Sequence, residues 1–226
     1  MRRSASAQPA HGDIFGPRVA LRPWKGEDER ACRMWATYPD PFSKLWNLPR
    51  SRSLYEEFFT FFSGSSGTRR SWAIENQAGQ LIGRLSLREI DPWKQRARLG
   101  ISLGADYVGQ GLGTEALALF LDHFFGVLEF TTMALDVAAC NGRAVRCYER
   151  LGFRHIRQEW RKAGHAPCLQ LLQEPAYHHL LPFFRNQAGT IWVQFLEMEL
   201  QKSWWVRLMP GREGRTVECH AIQARI

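Results

Sequence analysis

No stretch of this chain approaches the roughly 18 to 20 consecutive apolar residues that a membrane-spanning helix needs. The richest apolar run, Ala116 to Leu128, is broken by Asp122 and His123, which argues against a membrane partner. Cysteine is sparse. Cys32, Cys140, Cys147, Cys168 and Cys219 are odd in number and form neither a close CxxC pair nor a Cys/His cluster at zinc spacing. That pattern excludes a disulfide framework and a structural metal, and it points to a reducing cytoplasm. Met1 to Gly12 lack the apolar core of a secretory signal and are too short for a transit peptide, so they read as a loose tail. Internal repeats and low-complexity tracts are absent. Although the formal charge is +8, there is no long Lys/Arg block. Nucleic acid is therefore disfavoured, and a cofactor bearing phosphates is the smallest partner that would use the charge.

What is present is a chain of 226 residues, 45% of them hydrophobic, enough for one substantial core. The expected organisation is a flexible tail at 1–15, a single domain at 16–205 with an insert at 162–190, and an extension at 206–226. Arg18 to Arg22 reads as a short strand, and Glu27 to Ala36 as a helix stopped by Tyr38-Pro39-Asp40-Pro41. A second helix is expected over Ser53 to Phe62, followed by a turn of small residues at Ser63 to Gly67. Ser71 to Glu75, Leu81 to Ile90 and Arg96 to Leu103 form an antiparallel meander. In its last strand Ala97, Leu99, Ile101 and Leu103 share a buried face, opposite Arg96, Arg98, Gly100 and Ser102. A long helix over Gly111 to Leu128, a strand at Thr131 to Val137 and a short helix at Gly142 to Leu151 follow, then strands at His155 to Arg161 and Ile191 to Leu200 around an irregular insert. Beyond Trp204 there is little periodic signal.

The turn Val108-Gly109-Gln110-Gly111-Leu112-Gly113-Thr114 joins a strand to the long helix. Its glycines clear the backbone of side chains, and main-chain N–H groups at a helix start have no intrahelical acceptor, a ready site for a pyrophosphate. A tight turn for close helix–sheet packing is the plain alternative. A dinucleotide fold is disfavoured because the turn follows an antiparallel meander, and the kinase and P-loop readings lack their other signatures. Just under thirty residues on comes Asn141-x-x-Ala144-x-x-x-Tyr148-x-x-x-Gly152-Phe153. Asn141 and Tyr148 project from nearly one helix face, with Ala144 between them leaving room for a narrow ligand. Here too a helix cap and a core tyrosine are the plain alternatives.

The glycine turn and the Asn141 to Phe153 segment together resemble the two cofactor motifs of GCN5-related N-acetyltransferases. Tyr107 to Ala116 is most similar to the branch acting on ribosomal-protein N-termini. The resemblance runs from Arg18 to about Leu200. It implies an α+β fold of the GNAT type: a mixed, mostly antiparallel twisted sheet of about seven strands flanked by helices, with a V-shaped cofactor cleft between the fourth and fifth. Also implied is direct transfer of an acetyl group from acetyl-CoA to a primary amine, on a protein N-terminus or a small molecule, without a metal. Ile101, Ser102 and Leu103 would pair with the pantetheine. Val108, Gly109, Gln110, Gly111, Leu112, Gly113 and Thr114 would hold the pyrophosphate, and Asn141 and Ala144 would line the same arm. Tyr148 would sit beside the sulfur and supply a proton to the leaving thiolate, as a phenol with a pKa of about 10 can.

The strand at Ala97 to Leu103 lacks the glutamate that some relatives use as a base, so Glu89, Asp136 and Glu159 become the carboxylates to inspect. Cys140 and Cys147 read as packing residues. The acceptor is expected between the first two helices and the insert, with Trp35, Tyr38, Phe42, Trp46, Tyr177, Phe183 and Phe184 as candidate cleft aromatics. An acyl-CoA-binding module without turnover is the rival reading, and Trp204 with Trp205 would either cover a sheet edge or join a second copy, leaving monomer and homodimer open.

Overall fold

The computed structural model describes residues 12–46, 69–163 and 166–208. The helix expected at 53–62, its following turn, most of the N-terminal tail and the end of the chain lie outside the described residues. Nine strands form one sheet among the described residues: β1 (Ile14–Phe15), β2 (Val19–Pro23), β3 (Arg70–Asn76), β4 (Leu81–Asp91), β5 (Arg96–Leu103), β6 (Thr132–Ala138), β7 (Arg154–Lys162), β8 (Phe184–Gln187) and β9 (Thr190–Gln201). Their order is β1-β2-β3-β4-β5-β6-β9-β7, with β8 also paired to β9. The sheet is thus larger than the seven strands expected. The dipeptide β1 is too short to show a period, and β8 lies in the insert that reads as irregular.

Among the described residues four α-helices accompany the sheet: α1 (Gly26–Cys32), α2 (Leu112–Gly126), α3 (Gly142–Arg150) and α4 (Lys202–Leu208). None is long and apolar enough to cross a membrane. Helix α2 buries Leu112, Ala116, Leu117, Phe120, Leu121, Phe124 and Phe125, the stripe that its 3.6-residue period dictates. Phe120 meets Trp72 of β3 edge-on at 4.7 Å, and each such buried aromatic contributes about 1.5–3 kcal/mol. The α3 start is fixed by Asn141, whose side chain accepts from the Ala144 N–H at 3.2 Å, and Gly152 at φ +90° closes its end. Helix α4 is built on aromatic contacts that periodicity does not reveal: Trp205 is buried and donates to Asp122 at 2.9 Å, while Arg154 stacks on Trp204 at 3.8 Å. Both tryptophans are thus engaged within their own chain.

A second, smaller core joins the turn at Pro41–Leu45 to the insert. Phe42 packs against Tyr177 and Phe184, at 5.4 and 5.9 Å between ring centres, with Leu172, Val193 and Phe195 alongside. The insert therefore belongs to the folded body through two 3₁₀ turns, Pro167–Gln173 and Pro175–Phe183, and through β8.

The feature that positions the site is where β5 and β6 stop pairing. All other neighbouring strands are antiparallel, but β5 and β6 run parallel and register only from Arg96–Thr132 to Leu99–Leu135. Beyond that point β5 stays with β4 as far as Leu103, and β6 stays with β9 as far as Ala138. The two halves of the sheet diverge. This is the V-shaped cleft expected between the fourth and fifth strands, which become β5 and β6 once β1 is counted.

Candidate active site

Two adjoining chambers occupy the opening between β5 and β6. The first, about 310 Å³, is lined by Ile101, Ser102 and Leu103 of β5, by Val108, Gly109, Gly111, Gly113 and Thr114 of the glycine turn, and by Asn141, Ala144 and Tyr148 of α3. The sequence-predicted residues thus converge on one cleft, with two exceptions. Leu112 is buried in the core, and the Gln110 side chain turns back to donate to the Asp106 carbonyl at 2.7 Å. Tyr38, Trp46, Leu117, Arg143, Cys147 and Arg150 complete the lining. Arg143 and Arg150 are seven residues apart, like Asn141 and Tyr148, so helical spacing alone was a usable signal for both.

Gly109 and Gly111 have φ of +84° and +80°, a region costly for residues with a Cβ. The first N–H satisfied within α2 is that of Glu115, by the Gly111 carbonyl at 3.1 Å. Leu112, Gly113 and Thr114 consequently present N–H groups without helical acceptors at the positive end of a helix of 15 residues. Arg18 braces the turn, donating to the Gln110 carbonyl at 3.1 Å and to Glu115 at 2.7 Å. On the facing wall the Gly104 N–H bonds to the Ile82 carbonyl at 2.8 Å. By strand alternation, Ile101 and Leu103 turn their main-chain groups away from β4, toward the cleft. The Leu103 carbonyl there takes a hydrogen bond from the Tyr38 hydroxyl.

The second chamber, about 270 Å³, shares Trp46, Ile101, Ser102, Asn141, Ala144 and Tyr148 with the first. Tyr148 stands where the two meet. It is 9% exposed. Burial, with a smaller push from Cys147 and an opposing pull from Arg88, raises its phenol well above the ordinary value. The hydroxyl stays protonated throughout the physiological range.

The strand-face carboxylates are all engaged. Asp136, which lines the second chamber, is bound by Arg98, by Arg88 at 3.3 Å and by Arg161 at 3.3 Å. Glu89, on a β-bulge at φ +50°, bonds the Arg98 Nε at 2.8 Å, and Glu159 bonds the Arg161 Nε at 2.6 Å. Arg98, read from alternation as a solvent-face residue, is 2% exposed and also reaches Glu197 at 2.7 Å. Alternation misplaces it because β6, β9 and the bulge of β4 bring carboxylates to it. Of the aromatics expected near the acceptor, Tyr38 and Trp46 line the cleft, Phe42, Tyr177 and Phe184 belong to the second core, and Trp35 donates to the Leu81 carbonyl at 3.2 Å. Among the described residues no histidine lines either chamber, and no cluster of three or more metal-ligating side chains occurs.

A split α+β sheet, a glycine-rich helix N-terminus with main-chain N–H groups to offer, and a cleft reaching a buried phenol are the parts of a coenzyme-binding acyltransferase. A family model for the acetyltransferase (GNAT) domain matches residues 18–154, and the chain belongs to that family. It is an N-acetyltransferase with acetyl-CoA as cosubstrate. The chain is 29% identical to the spermidine N(1)-acetyltransferase of Escherichia coli K12 over 145 residues, 60% of this chain and 72% of that protein. It is 31% identical over 84 residues to the spermidine N(1)-acetyltransferase of Vibrio cholerae, 37% of this chain and 49% of that one. The crystal structure of spermidine N-acetyltransferase from Vibrio cholerae in complex with CoA and spermine superposes with a TM-score of 0.58 at 19% identity. That match covers 84% of this chain and 99% of the other.

Proposed function

We propose that acetyl-CoA occupies the first chamber, its pyrophosphate on the main chain of Gly109 to Thr114 and its pantetheine arm along Ile101 to Leu103, and that a small primary amine enters through the second. The observation that carries this reading is that the two adjoining chambers share Tyr148 in their lining. The amine nitrogen forms its bond to the acetyl carbon as the carbon–sulfur bond breaks, and the proton lost from nitrogen is made up on sulfur. A main-chain N–H of β5 near Leu103 stabilises the intermediate oxyanion. Tyr148, kept neutral by burial, donates a hydrogen bond to the departing thiolate and relays the proton. Asn141 spends its carbonyl on capping α3, so its amide nitrogen is the group left for the pantetheine.

Transfer is direct. Burial pushes the Cys140 thiol up to about 11, too high for a useful thiolate at neutral pH, and Cys140 lines neither chamber. Cys147 lies 3.1 Å from Thr114 Oγ1, with no histidine among the described residues of the cleft to activate it. Because Asp136, Glu89 and Glu159 are tied to arginines, the ammonium loses its proton to solvent before attack.

The spermidine acetyltransferases among its relatives favour a small amine over the ribosomal-protein N-terminus suggested by Tyr107 to Ala116. A chamber of about 270 Å³ suits that choice. Coenzyme A release from acetyl-CoA is expected with at least one amine of a broad small-molecule panel. Cofactor binding without release from any amine would instead leave a binding module. The cradle has its own check. Gly111→Val forces a β-branched side chain into φ +80° at the cofactor wall and is expected to raise the acetyl-CoA Kd at least ~10-fold, with the unfolding midpoint as the control for global damage.

A further inference from the structure

The sheet face forming the second chamber is written by alternate residues. On β4, Arg84, Ser86 and Arg88 alternate with the buried Leu85 and Leu87. They register with Ser102, Gly100 and Arg98 of β5. Arg69, ahead of β3, and Arg161 of β7 complete the wall, so that four guanidinium groups and one carboxylate, Asp136, line the chamber among the described residues. The formal sum of that lining is 4 − 1 = +3. The one carboxylate is already spoken for: Asp136 is 4% exposed and meets Arg98, Arg88 and Arg161.

Arg84 is held differently. Its guanidinium lies 4.5 Å over the Trp24 ring and donates to Ser71 Oγ at 3.1 Å. Its contact with Glu29 is a long 3.5 Å, to a side chain that is 56% exposed and hence well screened. Its Nε is buried and has no hydrogen-bond partner among the described residues. A guanidinium fixed by stacking on a chamber wall is suited to an anionic oxygen. A polyamine would instead bring several ammonium groups against like charge.

Resting on the acetyl-transfer reading above, we propose that the acceptor is a small primary amine carrying a carboxylate or phosphate group, whose anion is held by Arg84 and Arg69 while its nitrogen faces the thioester at Tyr148. The shared chemistry is R–NH2 with an anionic oxygen on R. N-acetylation removes the charge of the amine and leaves the anionic handle, so product and substrate differ at the nitrogen end of the chamber alone.

The test is a kcat/KM series on the full chain with acetyl-CoA, comparing L-aspartate, L-glutamate and O-phosphoethanolamine with ethanolamine, spermidine and an acidic tetrapeptide. At least ~100-fold preference for an anionic small amine over spermidine is expected. The carboxylate and phosphate arms separate the two sources of anion. In Arg84→Gln the KM for the preferred amine should rise ~10-fold, with kcat and the acetyl-CoA Kd little changed. In Arg84→Glu the ratio should shift toward spermidine. Turnover of spermidine at or above the anionic amines overturns this inference and leaves the enzyme reading intact, as does faster acetylation of the tetrapeptide. Acetyl-CoA binding without turnover of any amine overturns both.

Discussion

Tyr148→Phe should lower kcat by about 100-fold, in the range that removal of a positioned proton-transfer group produces, while the acetyl-CoA Kd stays within about twofold. The substitution deletes one oxygen from a side chain packed at 5.8 Å against Phe153, so the wall of the cleft keeps its shape. What is lost is the hydroxyl that the proposed mechanism sets beside the sulfur. The pH profile separates this role from a packing role. Burial raises the phenol, so the wild-type enzyme should gain rate as the amine deprotonates and show no falling limb below pH 10. An ordinary phenol would begin to ionise there. Equal kcat for wild type and variant from pH 6 to 9 would remove Tyr148 from the mechanism, whatever becomes of the cofactor site. Alternative acetyl thioester donors offer a second comparison: a thioester with a more acidic leaving thiol needs less help and should narrow the gap.

The largest loss of stability should follow Arg98→Leu, about 3–5 kcal/mol, because one buried cation satisfies Glu89, Asp136 and Glu197 together. For a chain of this size that corresponds to a fall in Tm of roughly 10 °C. Acid titration checks the cause. Burial acts to raise Glu197, yet hydrogen bonds from Arg98 and Arg157 outweigh it and hold the carboxyl at about 2. Its folded value lies below its unfolded one, so its contribution is complete above about pH 4.5 and disappears as pH falls toward 2. The variant should therefore be most compromised near neutrality and should approach the wild type as the pH drops through that window. A constant difference in stability from pH 7 to 3 would mean that lost packing, not unpaired charge, is responsible.

These two residues mark the reach of sequence reasoning. The placement of Tyr148 was legible because Ala144 and Tyr148 lie on a single nine-residue helix capped by Asn141, where spacing fixes the shared face, and because a glycine turn announces itself locally. The meander and the α2 stripe were legible for the same reason. Arg98 was not, since its environment depends on the register of β6 and β9, strands up to about a hundred positions away. Arg84, Ser86 and Arg88 carried a visible period of two, but their meaning requires knowing that β5 and β6 part company beside them. The 3₁₀ turns and β8 are set by contacts with Phe42 and Val193, which no local pattern encodes. Helix α4 likewise depends on Asp122, eighty-three positions earlier.

The divergence of β5 from β6 places two kinds of arginine along one groove. Arg88 and Arg161 line the second chamber but are also members of the carboxylate lattice at the apex of the V, so exchanging either should disturb the sheet as well as the chamber. Arg69 and Arg84 stand outside that lattice. A lineage changing its acceptor would find these two positions open to variation and the other two nearly frozen, and diversification of specificity should concentrate at the mouth of the groove while its root stays constant.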